Sequence, residues 1–316
     1  MLSRINVIFC EIEKMSKNKY NYAMEGETKD RFIIKGLAGE KKLKGKIAVS
    51  GAKNAVLPAL ASSVLFKDKF CISNVPDIKD VDNTLSLLEK LGAKVEKTGN
   101  KKYCIEAGKI KSTTLDKDIS KKMRSSIILT GPLLARFGKV SFPHPGGCVI
   151  GARPINSFLE GFKKMGAKVS EQKGNFSLSL SKGKKLKGAK IFFDKVSVTG
   201  TETLMLAGIL AKGRTVIENA AMEPEVKDIA DFLNKCGAKI KGAGTSTIKI
   251  TGGKLLTAGK RIYKTMPDRI EAGSFLILGA LAGDDLEIAG CNPEHIKILI
   301  NILKESGVPV VEKRNK

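Results

Sequence analysis

The chain has 316 residues, 42% of them hydrophobic, and a formal net charge of +24, so we expect a globular protein of two domains. No apolar run reaches the roughly 18 residues of a membrane span and the N-terminus lacks a secretory pattern, which predicts a cytoplasmic location and no membrane partner. The lysines are scattered and aromatic residues make up 5% of the chain, so a solvated basic surface that attracts small anions is favoured over a nucleic-acid partner.

The first predicted elements are a strand at Lys46–Val49 and an apolar helix at Val56–Leu65. The turn between them contains Lys53 and Asn54, and it places a lysine and free backbone N–H groups at a helix start. This arrangement suits a phosphate or a carboxylate. The spacing is not that of a P-loop, so the turn alone is weak evidence for a site.

Two strand-like runs follow, Phe70–Ile72 and Tyr103–Ile105, and each contains a cysteine. The chain has no Cys-x-x-Cys pair, and disulfides are rare in the cytoplasm, so neither zinc nor a disulfide is implied. Cys71 and Cys104 are therefore expected to act as small apolar residues. Further along, Arg124 opens another helix, where it is either a surface arginine or a bidentate anion ligand.

A glycine ends a predicted helix four times, with spacings of 74, 71 and 70 residues, and each helix has a proline upstream. Proline at a helix start and glycine just past its end is the expected asymmetry. A fixed period indicates stacked copies of one supersecondary unit. The glycines are Gly92, Gly166, Gly237 and Gly307, and the prolines are Pro76, Pro154, Pro224 and Pro293.

The second copy contains a long loop rich in glycine and proline. From Gly138 to Pro154 it takes 16 residues, where the third copy needs 11 and the fourth needs 10. The loop carries Cys148 and, five residues later, Arg153. Long loops on a rigid scaffold often carry function. A tolerated surface insertion with a passenger cysteine is the alternative.

The third copy predicts a regular succession of elements. Donor side chains from Lys195 to Thr199 lead into a helix near Thr203–Ala211. The elements that follow are a strand at Arg214–Asn219, a helix at Glu225–Lys235, a strand at Lys239–Lys241 and an alternating strand at Gly244–Ile250.

Several strings in the chain together resemble the enolpyruvyl transferases, and among them the UDP-N-acetylglucosamine 1-carboxyvinyltransferases of peptidoglycan synthesis. The resemblance runs in order from about Phe32 to Val311. The strings are Ser50-Gly-Ala-Lys-Asn-Ala55, Met123-Arg-Ser-Ser126, Gly131-Pro-Leu-Leu-Ala-Arg-Phe-Gly138, Pro145-Gly-Gly-Cys-Val-Ile-Gly-Ala-Arg-Pro154, Asn219-Ala-Ala-Met-Glu-Pro-Glu225 and Pro267-Asp-Arg-Ile-Glu-Ala-Gly273.

The resemblance implies an α/β fold, an inside-out α/β barrel of repeated βαβαββ units. It implies one complete three-unit domain at 53–266, a partial second domain from 31–52 and 267–316, and a disordered extension at 1–30. Two domains with three units each, six units in all, need about 425 residues. With four repeats, the chain resembles a C-terminally truncated member of the family. The 316-residue chain alone is therefore expected to be inactive.

The resemblance also implies the reaction and its residues. Phosphoenolpyruvate donates its enolpyruvyl group to the 3-hydroxyl of UDP-N-acetylglucosamine, with no cofactor and no metal. Cys148 is then the general acid and the target of fosfomycin, and Lys53, Asn54 and Arg153 bind phosphoenolpyruvate. The nucleotide sugar is assigned to Arg124, Arg153, Pro154, Ile155, Asn156, Ser157, Lys195, Val196, Ser197 and Val198.

Two departures from the family pattern bear on these assignments. In the segment Asn156-Ser157-Phe158, Asn156 stands where the family has an aspartate and Phe158 where it has a histidine. The loss of a carboxylate there is expected to affect a nucleotide contact. The family's hydroxyl-activating aspartate and a further phosphoenolpyruvate-binding arginine belong to repeats beyond the four found here. The alternatives are a fragment that binds the nucleotide sugar without turnover, a chain completed by a second polypeptide, and the related transferase that acts on shikimate 3-phosphate.

Overall fold

The computed structural model describes residues 43–146 and 155–313. The chain divides into a larger unit, Ser50–Asp268, and a smaller unit built from the segments on either side of it. The extension expected at 1–30 lies outside the described residues. No helix among the described residues has the length and hydropathy to cross a membrane.

The strands in chain order are β1 Leu43–Ala48, β2 Phe70–Ser73, β3 Lys94–Gly99, β4 Lys102–Glu106, β5 Lys139–Pro143, β6 Lys168–Gln172, β7 Asn175–Ser179, β8 Lys190–Phe192, β9 Arg214–Glu218, β10 Ile240–Lys241, β11 Thr247–Thr251, β12 Ile262–Lys264 and β13 Gly283–Ala289. The α-helices are α1 Lys53–Ser62, α2 Lys79–Leu91, α3 Lys117–Ser120, α4 Thr130–Phe137, α5 Asn156–Lys164, α6 Val198–Gly208, α7 Pro224–Lys235, α8 Arg269–Ala282 and α9 Lys297–Glu305. Short 3₁₀ helices lie at Ser63–Leu65, Arg124–Leu129 and Pro293–Ile296.

Within the described part of the larger unit, three sheets share one strand order. Their antiparallel parts run β2-β4-β3, β5-β7-β6 and β9-β11-β10. On its other side each first strand has a parallel neighbour, which is β12 for β2, Thr114 for β5 and β8 for β9. The same local pattern is therefore built three times along the chain.

Buried helices accompany these sheets. Every residue of α1 from Ala55 to Ser62 is buried, as is every residue of α6 from Gly200 to Gly208. α4 packs against α6, and α1 packs against the 3₁₀ helix Arg124–Leu129. Helices that are apolar all round are typical of a protein interior, whereas α2, α5 and α7 are amphipathic and bury one face.

The helix ends predicted from the glycines are confirmed. Gly92, Gly166, Gly237 and Gly307 have φ angles of 104°, 90°, 107° and 83° and follow α2, α5, α7 and α9. Only glycine adopts this left-handed region without a steric cost, which is why it marks these ends. Apolar residues at helical spacing are also buried, as expected for amphipathic helices, namely Leu85, Leu88 and Leu91 of α2 and Ile155, Phe158, Phe162 and Met165 at α5.

The expectation that no disulfide forms is wrong for Cys71 and Cys104. These residues lie opposite each other on the antiparallel strands β2 and β4, with Cα atoms 4.1 Å apart, and their sulfur atoms are bonded. A separation of 33 residues carries no spacing signal. Only the register of the two strands brings the cysteines together.

The smaller unit is far less buried. Its strands β1 and β13 form a two-stranded parallel sheet, and such a sheet alone has marginal stability. The apolar helix α8 buries only Ala272, Gly273 and Ala282, and α9 buries only Ile300. Ile298 and Ile302 are 79% and 52% exposed. The helices of this unit therefore expose apolar side chains to solvent, whereas α1 and α6 bury theirs.

We expect amide hydrogen exchange to be faster in α8 and α9 than in α1 and α6, by at least about tenfold, because few apolar contacts oppose local opening there. Peptide-resolved exchange on dilute, monomeric protein measures the difference. The amphipathic helix α7 provides an internal control for partial burial. Equal protection of 267–316 and 53–266 would contradict this prediction.

Candidate active site

Lys53 is the first residue of α1, and its position is unusual for a lysine. Ala52 precedes it without a side-chain cap, and the first turn contains no acidic residue. A cation at a helix N-terminus is opposed by the helix dipole. Two carboxylates from elsewhere compensate, since Asp268 Oδ2 accepts the Lys53 backbone N–H at 3.3 Å and Asp80 Oδ2 lies 2.5 Å from Lys53 Nζ.

The turn that leads to Lys53 is fixed by backbone contacts. The Asp268 N–H donates to the Ser50 carbonyl at 2.9 Å, and the Ala52 N–H donates to the Met266 carbonyl at 2.8 Å. A Cβ atom at Gly51 would overlap the Asn74 carbonyl oxygen, so this position requires glycine. Lys53 and Asn54 are both exposed at the end of this rigid turn.

Arg124 is half-buried and opens the 3₁₀ helix Arg124–Leu129. The preceding Met123 is 2% exposed. The Ser126 hydroxyl donates to the Met123 carbonyl at 3.0 Å and to the Ser120 carbonyl at 3.4 Å. These contacts hold the backbone at Arg124 in place.

Cys148, Arg153 and Pro154 lie outside the described residues, but both ends of their loop are described. At one end the Gly146 N–H donates to the Ser120 carbonyl at 3.3 Å. A Cβ atom at Gly146 would overlap the Lys121 carbonyl oxygen. The cysteine loop therefore begins beside the segment that ends at Arg124.

Gly146→Ala is expected to lower the free energy of unfolding by about 1–3 kcal/mol, because the new methyl group must displace the Lys121 backbone. Urea unfolding measures the loss, and hydrogen exchange over 120–129 should rise with it. Gly108→Ala is the control, since nothing lies within 4 Å of a Cβ atom there, and we expect a change within about 0.5 kcal/mol. Equal stability of the two variants would contradict the proposed close packing.

At the other end of the loop, Ile155 is 3% exposed and precedes α5. Asn156 is exposed and Ser157 is half-buried, so both polar side chains stand at the start of the helix. Of the altered residues, Asn156 and Ser157 thus take up surface positions, whereas Phe158 is buried and, with Ile155, anchors the helix in the core.

The segment assigned to the nucleotide also stands at a helix start. The Ser197 hydroxyl caps α6 by accepting the Gly200 N–H at 3.1 Å. Lys195 is exposed, Val196 is 56% exposed, and the half-buried Val198 is the first residue of the helix.

The described site residues all lie at or next to the start of a helix, namely α1, the 3₁₀ helix Arg124–Leu129, α5 or α6. α1 packs on the 3₁₀ helix, which packs on α6, which packs on α5. At two of these starts side-chain oxygens accept backbone N–H groups, from Lys53 and from Gly200, and Lys53, Arg124 and Lys195 add positive charge. The arrangement is suited to binding anions.

A family model for EPSP synthase (3-phosphoshikimate 1-carboxyvinyltransferase) matches residues 37–316. The chain belongs to the EPSP synthase family. Its similar solved structures include the enolpyruvyl transferase NikO from Streptomyces tendae, with a TM-score of 0.69 and 20% identity, covering 85% of this chain and 62% of that one. EPSP synthase from Acinetobacter baumannii has a TM-score of 0.67 and 22% identity, covering 85% and 60%. These structures support a mixed α/β fold of the same kind.

Curated relatives within the family are more similar in sequence. UDP-N-acetylglucosamine 1-carboxyvinyltransferase of Geotalea uraniireducens is 46% identical over 291 residues, which cover 90% of this chain and 66% of that protein. The protein of the same name from Idiomarina loihiensis is 45% identical over 281 residues, covering 89% and 65%. The chain thus spans slightly less than two thirds of these relatives.

This member of the EPSP synthase family also has acidic residues that the sequence did not identify as functional. Asp80 and Asp268 contact Lys53, as described above. A second group is buried, with Glu202 2% exposed and Glu225 1% exposed. Burial raises the pKa of Glu202 well above its usual range, and the charges of Glu225 and Glu223 raise it further.

Tyr263 belongs to the same buried region. Its hydroxyl donates to Asp228 Oδ2 at 2.5 Å. Burial raises the pKa of Tyr263 well above its usual range, and the negative charge of Asp228 adds to the effect. Among the described residues no group of histidine, cysteine, aspartate and glutamate side chains is arranged to hold a metal ion.

Proposed function

We propose that this chain supplies most of a UDP-N-acetylglucosamine 1-carboxyvinyltransferase, which catalyses the first committed step of peptidoglycan synthesis. It transfers the enolpyruvyl group of phosphoenolpyruvate to the 3-hydroxyl of UDP-N-acetylglucosamine and releases phosphate. The observation that carries the proposal is the 46% identity to relatives of that name over 90% of the chain. The basic helix starts fit two anionic substrates in the cytoplasm.

We extend the proposal to the finer architecture. Residues 53–266 form the complete three-unit domain of an inside-out α/β barrel, with 31–52 and 267–316 in a partial second domain. The repeated strand order of the three sheets and the burial of α1, α4 and α6 support this assignment. The exposed apolar residues of α8 and α9 fit a second domain whose other repeats, or a separate polypeptide, would cover them.

In the proposed reaction Lys53, Asn54 and Arg153 hold phosphoenolpyruvate. The positive charges of Lys53 and Arg153 offset the negative charge that develops on its carboxylate and phosphate in the transition state. Cys148 delivers a proton to C3 while the sugar hydroxyl adds to C2. Loss of phosphate from C2 together with a proton from C3 then yields the enolpyruvyl ether, and the proton of the sugar hydroxyl goes to the base that the resemblance assigns to later repeats.

The nucleotide sugar is assigned to the other helix starts. Arg124 and Arg153 provide positive charge, and the remaining contacts come from Pro154, Ile155, Asn156, Ser157, Lys195, Val196, Ser197 and Val198. The exposed side chains of Asn156 and Lys195 support such contacts. Ile155 contributes through its backbone, because its side chain is buried.

The related transferase acting on shikimate 3-phosphate is the second candidate, because the matching family model bears that description. The solved EPSP synthase from Acinetobacter baumannii is 22% identical, compared with 46% for the Geotalea relative. The cysteine loop also follows the pattern of the enzymes that act on the nucleotide sugar. Binding of UDP-N-acetylglucosamine but not of shikimate 3-phosphate would separate the two candidates.

The proposed role of Cys148 is tested with fosfomycin, an epoxide phosphonate that resembles phosphoenolpyruvate. We expect mass mapping to find Cys148 alkylated first. Burial raises the pKa of Cys236 and of Cys291, which lowers their thiolate content, and Cys71 is bonded to Cys104. Cys148→Asp should lose alkylation and keep proton delivery in a full-length enzyme, and Cys148→Ser should lose turnover.

Lys53→Ala separates anion-guided labelling from simple thiol exposure. It should slow alkylation by the phosphonate and leave alkylation of Cys148 by neutral iodoacetamide unchanged. First labelling of Cys291 would contradict the assignment of Cys148.

A further inference from the structure

The contacts of Lys53 are those of an occupied anion site. Its ammonium lies 2.5 Å from Asp80 Oδ2, and its backbone N–H donates to Asp268 Oδ2 at 3.3 Å. Both the side-chain and the main-chain donors that would hold an anion are thus engaged by carboxylates of the chain itself. A carboxylate has the same charge-assisted hydrogen bonding as the substrate group it would replace.

Asp80 belongs to the first turn of α2, a helix that packs against α1. Its side chain is 22% exposed, whereas that of Lys53 is 52% exposed. The carboxylate is therefore the more sheltered partner, while the ammonium reaches it from the solvent side. Because a lysine side chain is flexible, its ammonium can leave Asp80 without any movement of the backbone.

We propose that Asp80 is a specificity-determining residue that competes with incoming anions for Lys53. The proposal rests on the proposed function, in which Lys53 binds phosphoenolpyruvate. A dianionic phosphate group attracts the ammonium more strongly than a monoanion does, so it can exchange with Asp80 where a simple carboxylate cannot. The negative charge of Asp80 thus repels incoming anions and excludes those that carry a single charge.

The same helix turn provides a matched control. Asp82 lies two residues after Asp80 and pairs with Lys79 at 3.5 Å, with side chains 54% and 80% exposed. Asp80→Asn and Asp82→Asn remove the same charge from the same turn. Only Asp80→Asn removes the partner of Lys53. A difference between the two variants therefore reports the loss of this contact and not a general change in surface potential.

The experiment measures how inorganic phosphate protects Lys53 of the 316-residue chain from acetylation by trace N-hydroxysuccinimidyl acetate, with the modification quantified by peptide mass spectrometry. Asp80→Asn should lower the phosphate concentration that gives half-protection by about tenfold, since an adjacent like charge is removed. It should also make acetate protective. Asp82→Asn should match the wild type, and Asp80→Glu should restore the wild-type midpoint.

The outcomes distinguish the two proposals. If phosphate does not protect Lys53 in the wild type, the proposed anion site is wrong and the competition falls with it. If phosphate protects the wild type and Asp80→Asn leaves the midpoint unchanged or raises it, only the competition is wrong. Circular dichroism checks that each variant is folded, and Asp80→Ser, which removes the same charge, replaces Asp80→Asn if that variant does not fold.

Discussion

A polypeptide of these 316 residues is expected to release no measurable phosphate from phosphoenolpyruvate and UDP-N-acetylglucosamine. The chain spans 66% of the Geotalea relative, and the resemblance assigns the hydroxyl-activating aspartate and a further arginine to later repeats. A positioned base contributes roughly 10²–10⁴-fold in rate, and a group that stabilises transition-state charge contributes about 10²–10³-fold. Loss of both places turnover below the detection limit of a phosphate-release assay.

Addition of the remaining third of a relative, fused or as a second polypeptide, is expected to restore turnover. The control is the same complex with Cys148→Ser, which should assemble and release no phosphate. The short chain should still bind the nucleotide sugar weakly, with an affinity that falls as salt is added, because the proposed contacts of Arg124, Arg153 and Lys195 are ionic. Robust phosphate release from the short chain alone would show that residues within 1–316 replace the missing groups.

Local patterns predicted the repeated elements of the fold. The helix ends at Gly92, Gly166, Gly237 and Gly307 follow from the φ angle each turn requires, and the buried faces follow from helical periodicity. The start of α1 was less well predicted, at Val56 instead of Lys53. Its N–H group is capped by Asp268, 215 residues away, and no local window contains that partner.

Long-range contacts also explain what the sequence did not reveal about the site. Lys53 was identifiable because it lies on the turn between a predicted strand and an apolar helix, where a lysine suits an anion, and in a string that resembles the enolpyruvyl transferases. Asp80 was not, because its role depends on the packing of α2 against α1. Glu202 was missed for another reason, since the predicted helix began at Thr203 and the structure extends it back to Val198.

Glu202 is expected to make the protein less stable as pH rises. Its pKa is raised above the ordinary value of 4.5, first by burial and then by Glu225 and Glu223. Above that ordinary value the unfolded carboxyl ionises while the folded one keeps its proton, so the folded state binds more protons. The free energy of unfolding then falls by about 1.4 kcal/mol per pH unit until the raised pKa is reached.

Glu202→Gln removes this titration and keeps the shape of the side chain, so its stability relative to the wild type should increase as the pH rises above 4.5, until the raised pKa of Glu202 is reached. Urea unfolding of dilute protein, followed by circular dichroism at several pH values, measures the difference in slope. Glu89→Gln, at an exposed position of α2, is the control, and its free energy of unfolding should change with pH as that of the wild type does.

A Gln amide brings its own cost, because Glu202 Oε1 has no hydrogen-bond partner among the described residues. That cost does not depend on pH, so it shifts the whole curve of the variant without changing its slope. Glu202→Met has no titrating group and no polar atom, and it should show the same slope as Glu202→Gln with a different offset. If both variants followed the wild-type slope, Glu202 would already be ionised in the folded protein, and the raised pKa assigned to it would be wrong.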